Sequence, residues 1–172
     1  MNVELYIPPK KGSLDPVISE IAALEKRIFP KHESMSSYLK EEVNRRGTTL
    51  MFVRAKQSHS NLEPPDVTKA GESEPLPPVV GYIIFTASSL VGNITKLAVH
   101  EAYRQQGYAS ALIEAVVKRL KGRRIASVAL HVDPSRTAAF QLYKKLGFSV
   151  ESRHESYYAP DRHAVRMLLE ID

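Results

Sequence analysis

The run Leu97-Ala98-Val99-His100-Glu101-Ala102-Tyr103-Arg104-Gln105-Gln106-Gly107-Tyr108-Ala109 decides the reading of this chain: an apolar strand passes into a helix through a turn of the form R-x-x-G-x-A. The first turn of a helix leaves backbone N–H groups unpaired and carries a partial positive charge, so such a junction suits a pyrophosphate. Gly107 lets phosphates approach the backbone, Ala109 keeps the next turn clear, and Arg104 adds a cation beside the anion. The turn is not a P-loop, which needs Gly-Lys-Ser/Thr, nor a dinucleotide fingerprint, which needs three spaced glycines. Taken alone, it also fits an ordinary helix N-terminus.

Downstream, the helix from Tyr108 to Lys121 shows one apolar face in Ala109, Leu112, Ile113, Val116 and Leu120. A strand over 125–132 follows and leads through Asp133-Pro134-Ser135-Arg136 into a helix over 136–146, with Gly147 as its stop. The string Leu130-His131-Val132-Asp133 and the helix ending Leu142-Tyr143-Lys144-Lys145-Leu146-Gly147-Phe148 stand at a fixed distance beyond the R-x-x-G-x-A turn. Together the two strings resemble the two signature regions of the GNAT acetyltransferases. The resemblance implies an α/β (α+β) GNAT fold, with a mixed, mostly antiparallel sheet of about seven strands flanked by four helices.

The remaining elements fit that order. Residues 2–7 alternate as a strand, and Val17, Ile18, Ile21, Leu24 and Ile28 give an amphipathic helix over 15–28, ended by Phe29-Pro30. A second helix is expected to start at Ser34 as N-cap, bury Tyr38, Leu39 and Val43, and close at Arg46-Gly47. Strands follow at 49–54, 79–87 and 93–99, and two more at 148–158 and 164–171 close the chain. Residues 57–78, rich in Pro, Ser, Glu and Gly, read as a mobile insertion in a hairpin within a single 1–172 domain.

Composition narrows the chemistry. A chain of 172 residues with 43% apolar content is long enough to bury one core. No apolar run approaches a bilayer's thickness and the start lacks a signal-peptide pattern, so a cytoplasmic or nuclear protein without membrane contact is expected. The absence of cysteine excludes disulfides, thiolate metal sites and an acyl-cysteine intermediate. The net charge of +5 suits a polyanionic ligand and is too evenly spread to argue for nucleic acid, and the basic run 118–124 reads as a solvated helix end.

The resemblance implies acetyl-CoA as cosubstrate and no metal. In the family, the backbone of Leu97, Ala98 and Val99 pairs with the pantetheine arm. The amides of Arg104, Gln105, Gln106, Gly107, Tyr108, Ala109 and Ser110 hold the pyrophosphate. Arg136 stands where most members carry a cofactor-binding Asn; its guanidinium can still contact the cofactor but cannot accept a hydrogen bond. Tyr143 takes the place of the tyrosine near the thioester sulfur, which also lines the cofactor and protonates the thiolate; as a tyrosine on an apolar helix face it also fits plain core. Asn93, where many members carry a carboxylate or tyrosine, cannot take a proton. An unperturbed imidazole titrates at about 6.5, so His131 is the candidate base, with a structural strand histidine as the alternative.

The likeness is strongest to protein N-terminal acetyltransferases, including the bacterial enzymes that act on ribosomal proteins. It implies a peptide or protein N-terminus as acceptor, with a ribosome or auxiliary subunit as partner. Phe29-Pro30 and Tyr157-Tyr158 match residues that line the peptide groove in that group, and both pairs also fit mere packing. Lys31-His32-Glu33-Ser34 departs from the apolar continuation of the subunit that accepts Met-starting peptides. Small-molecule amines, protein lysines, and a CoA-binding module without turnover are the alternatives.

Overall fold

The computed structural model describes residues 1–7, 15–56 and 76–171. Residues 57–75, nearly all of the expected insertion, lie outside them. The described residues form β1 (Val3–Leu5), α1 (Pro16–Ile28), α2 (Leu39–Val43), β2 (Thr48–Arg54), β3 (Val79–Ala87), β4 (Val91–Val99), α3 (Tyr108–Lys121), β5 (Ser127–Val132), α4 (Thr137–Lys145), β6 (Ser149–Ala159) and β7 (Arg162–Glu170). The seven strands make one sheet in the order β1-β2-β3-β4-β5-β7-β6. Every neighbouring pair is antiparallel except β4 and β5. This is the mixed, mostly antiparallel sheet with four helices that the sequence led us to expect. None of the described helices is long and apolar enough to cross a membrane.

Each face of the sheet buries its own core. On one, Leu112, Ile113, Val116 and Leu120 of α3 and Tyr143 of α4 pack with Ile83, Phe85, Val128, Leu130 and Val132. On the other, Ile18, Ile21 and Leu24 of α1 and Leu39 of α2 pack with Leu50, Phe52, Tyr82 and Ile84. Side chains alternate along a strand, so His131, set between the buried Leu130 and Val132, projects to the α1/α2 face.

α1 forms as its sequence dictates. Asp15 caps it by accepting from the Ile18 amide at 3.2 Å, Pro16 opens the first turn, and the helix stops before Pro30. The second helix is shorter than expected. Ser34 does not cap it; its Oγ accepts from the Ser36 amide at 3.2 Å, and α2 begins only at Leu39 with no side-chain cap. Glu25, a fully buried residue on the inner face of α1, takes the Met35 amide at 2.6 Å, and residues 36–38 form a turn, with the Tyr38 amide on the Met35 carbonyl at 3.0 Å, in place of the first helical turn.

Candidate active site

The site begins where two strands part. The β4/β5 ladder runs from Val91/Ser127 to Ile94/Leu130 and stops, although both strands continue. The next residue, Thr95, is a bulge: Ile84 faces Lys96 while Phe85 faces Ile94, so Thr95 has no opposite number on β3. A bulge bends its strand. Here it turns Lys96–Val99 away from β5, and the β5-facing edge of Leu97, Ala98 and Val99 is left without a strand partner. Its outward backbone groups, with the Val99 carbonyl taken by the Arg104 guanidinium, form an extended template.

At the same end of the sheet β4 passes through a short 3-10 turn, Glu101–Tyr103, into α3. Gly107 occupies the N-cap position of α3 at φ +84°, and no side chain caps that end, so the amides of Tyr108, Ala109 and Ser110 point outward with the positive end of the helix dipole. Gln105 also lies in the left-handed region at φ +60°. Arg104 is anchored by its Nε to the Val99 carbonyl at 3.2 Å, and the Gln106 side chain donates to the Ala102 carbonyl at 3.1 Å. The Tyr108 ring is buried, with its hydroxyl accepting from the Lys56 amide at 3.2 Å, so this residue can meet a ligand only through its backbone.

His131 and Tyr143, the two residues singled out for catalysis, reach this end of the sheet from opposite faces. Tyr143 is buried, edge-on to Phe148 at 5.8 Å, and its hydroxyl makes no hydrogen bond among the described residues. Burial, helped by the nearby Tyr158 phenol, pushes its pKa up to about 12, so the hydroxyl keeps its proton. It is therefore both a core residue and a donor free at its tip. His131 is half-buried on the α1/α2 face, its ring stacked on Tyr157 at 4.8 Å and 9° and met edge-on by His154 at 5.2 Å. Burial first, then the charges of His154 and Arg166, holds its pKa below the usual imidazole value. Asn93 shares this face within the paired stretch, opposite Ala129.

The loop after α1 closes over the same face. Phe29 ends α1, and the Pro30 carbonyl takes the Glu33 and Ser34 amides at 2.9 and 3.0 Å. Glu33 then binds Arg136 of the β5–α4 loop at 2.5 Å and Arg162 of β7 at 2.6 Å, while Arg162 also binds Asp133 at 3.0 Å. Burial raises the Glu33 carboxyl, but hydrogen bonds and charge from Arg162 and Arg136 outweigh it and hold it below the usual carboxylate range. Tyr158 lies under the Arg162 guanidinium, 5.4 Å from its ring centre. The fold thus gathers Phe29-Pro30 and Tyr157-Tyr158 on one face, joined through Glu33. The Arg136 side chain, expected to contact the cofactor, is paired with Glu33.

Sequence reasoning missed Lys96, Glu33, Asp133, Arg162 and His154. Lys96 sits over the Phe29 ring at 3.8 Å, donates to the Glu33 carbonyl at 2.7 Å and lies 3.7 Å from Glu25. Burial pulls its pKa down against the opposing pull of Glu25 and Glu33. Glu25 was visible as a carboxylate in register with Ile18, Ile21 and Ile28 on an apolar helix face, where an acid needs a buried partner. Lys96 on β4 is such a partner, and the Tyr82 hydroxyl is another.

Residues 21–148 match the Acetyltransferase (GNAT) family. Over 79 residues the chain is 39% identical to a protein of Haemophilus ducreyi named [Ribosomal protein bS18]-alanine N-acetyltransferase, covering 44% of this chain and 54% of the relative. Over 86 residues it is 31% identical to N-alpha-acetyltransferase 30 of Schizosaccharomyces pombe, covering 50% and 57%. The chain thus spans about half the length of these curated relatives. The crystal structure of Arabidopsis thaliana NAA60 in complex with acetyl-CoA has the same fold, at a TM-score of 0.73 and 19% identity over 99% of this chain and 98% of that one.

Proposed function

The chain belongs to the Acetyltransferase (GNAT) family, and from that premise we propose that it is an acyltransferase that moves an acetyl group from acetyl-CoA directly to the N-terminal α-amine of a protein or peptide. The observation that carries this reading is the parting of β4 and β5 beyond Ile94/Leu130 beside the uncapped N-terminus of α3. A cosubstrate with a pyrophosphate at one end and an amide-bearing arm at the other fits those two features side by side. The α3 amides and the Arg104 guanidinium suit the phosphates, and the free edge of Leu97–Val99 suits the arm. Bound there, acetyl-CoA supplies an acetyl carbon joined to a good leaving group, a thiol of pKa about 8.5.

The chain's own residues then divide the proton traffic. His131, neutral at pH 7, accepts a proton from the acceptor amine as its nitrogen bonds to the acetyl carbon. Tyr143, on the far side of the gap, offers its hydroxyl hydrogen to the departing sulfur. With a pKa near 12 the phenol is a hydrogen-bond donor that keeps its proton rather than an acid that gives it up.

The acceptor class follows from the strength of the base. An α-amine with a pKa of about 8 is roughly one-tenth neutral at pH 7, whereas a lysine near 10.4 is neutral in only about one molecule in 2,500. A half-buried imidazole held below its usual value is a weak base, adequate for the first and poor for the second. The names of the two curated relatives, a ribosomal protein bS18-alanine N-acetyltransferase and an N-alpha-acetyltransferase, support the same choice. The test is CoA release from acetyl-CoA with short peptides bearing free or blocked N-termini, internal lysines, or with small polyamines. Turnover confined to free N-termini is the expected result. Turnover on small amines or lysines alone overturns the acceptor, and CoA binding without turnover anywhere overturns the activity.

A further inference from the structure

His154 lies outside every motif quoted above, yet it touches the residue on which the reaction turns. Along β6 and β7 the register sets Ser152 opposite Arg166 and His154 opposite Ala164, and β5 sets His131 opposite Arg166. Directly opposed residues share a face, so His131, Arg166, Ser152, Ala164 and His154 all stand on the α1/α2 side of the sheet. Ala164 is the means of contact: its small side chain, fully buried, leaves the space in which the imidazole of His154 leans across β7 to meet that of His131. β6 breaks register between His154 and Ala159, and that irregularity brings Tyr157 back over the His131 ring. The imidazole is thereby held between a stacked phenol and a perpendicular second imidazole, and the latter is itself fixed by the Ser152 hydroxyl at 3.1 Å.

We propose that His154 is a positioning residue for acetyl transfer: with Tyr157 it clamps the His131 ring so that a ring nitrogen faces the gap between β4 and β5. This rests on the reading of His131 as the proton acceptor. Two consequences follow from the geometry. The clamp removes ring rotation that a strand histidine would otherwise have, so the nitrogen is aimed before an acceptor arrives. Because the two imidazoles are in contact, a proton on one opposes a proton on the other, and His131 stays unprotonated to lower pH than it would alone. Other groups also surround the ring. From β7, Arg166 adds a like charge and is itself paired with Glu151 of β6. Asp133, two residues on and just past the end of β5, is occupied by Ser135 and Arg162. On β4 no residue pairs with His131: Asn93, opposite Ala129, does not titrate, and Lys96, the next side chain on that face, is held by Glu25 and the Glu33 carbonyl.

The experiment compares the full-length wild-type chain with His154→Gln, using acetyl-CoA and whichever free-N-terminus peptide is acetylated fastest. It measures kcat and KM across pH 5 to 9 and follows the ring proton signals of His131 by NMR titration. In His154→Gln the acid limb of kcat/KM is expected to move to higher pH together with the His131 titration. kcat at pH 8 is expected to fall about tenfold with KM for acetyl-CoA unchanged. A limb and a kcat that do not move, in a chain where His131→Ala is inactive, overturn the role of His154 and leave His131 in place. An NMR shift in His154→Gln alongside a fully active His131→Ala overturns both, and reduces the contact to packing. Tyr157→Leu guards against a folding artefact: it is expected to lower kcat without moving the limb upward, and a variant that moves the limb as far as His154→Gln overturns the division of labour between the two.

Discussion

Glu33, in the loop after α1, and Arg162, the first residue of β7, stand 129 positions apart in the chain and 2.6 Å apart in space. Arg136 completes the link from the β5–α4 loop. The bond ties together the two segments that flank the proposed acceptor site, Phe29-Pro30 on one side and Tyr157-Tyr158 on the other.

Glu33→Gln is therefore expected to raise KM for the acceptor peptide several-fold while KM for acetyl-CoA stays constant, as steady-state kinetics with each substrate varied in turn will show. The pH behaviour has a definite sign. Because the folded-state pKa of Glu33 is depressed, its stabilising contribution is complete above the ordinary carboxylate value of about 4.3 and is lost as pH falls through the lower folded value. Acid unfolding of Glu33→Gln should accordingly begin from a lower stability and be less steep below about pH 4.3 than that of the wild type.

His131→Ala is expected to lower kcat by about 10² to 10⁴, the usual span for a lost general base, with CoA affinity near normal by calorimetry. In the wild type kcat/KM should decline as pH drops through the His131 pKa, which lies below about 6.5. An unaltered rate in the variant removes His131 from the mechanism.

Tyr143→Phe keeps the ring that packs on Phe148 and deletes only the hydroxyl, which bonds to nothing within the described residues. Its melting temperature should stay close to the wild-type value while kcat drops. A variant with wild-type kcat assigns Tyr143 to the core alone.

Gly107→Ala tests the phosphate turn. A β-carbon there would meet nothing nearer than the Met1 side chain at 3.5 Å, an ordinary contact, so the cost is backbone strain at φ +84°. About 1 to 2 kcal/mol of destabilisation is expected, with a weaker affinity for CoA measured by calorimetry.

Glu25→Ala strips the partner from the Lys96 ammonium, the Tyr82 hydroxyl and the Met35 amide at once. Denaturant unfolding should show a loss of about 3 kcal/mol or more, the range for breaking a buried ion pair. Glu25→Gln, which keeps the amide's acceptor, should lose less.

The fold was legible because its main signals are local and periodic. The apolar faces of α1, α3 and α4, the glycine at the head of α3 and the Leu-Tyr-x-x-Leu-Gly-Phe end of α4 each report on neighbours a few positions away. The second helix misled because Ser34 is a good cap in isolation, and nothing near it in sequence announces that Glu25, nine residues earlier, takes the amide of the next residue, Met35. The bulge at Thr95 was equally hidden: its threonine is an unremarkable strand residue, and the register it disturbs belongs to another strand. At the candidate site, the residues inside the two signature strings could be named from the sequence, whereas Glu33, Arg162 and His154 owe their places to pairings that only the closed sheet creates.

The site also straddles a mechanical divide. Leu97–Val99 and the head of α3 rest on central strands with a helix packed behind them, whereas His154, Tyr157 and Tyr158 ride on β6, the outermost strand, whose residues are mostly open to solvent. A replacement on β6 disturbs few buried neighbours and costs the fold little, so mutation can reshape the surface proposed to meet the acceptor while the half proposed for the acyl donor stays fixed. Taste for a new partner is, in this architecture, cheap to evolve.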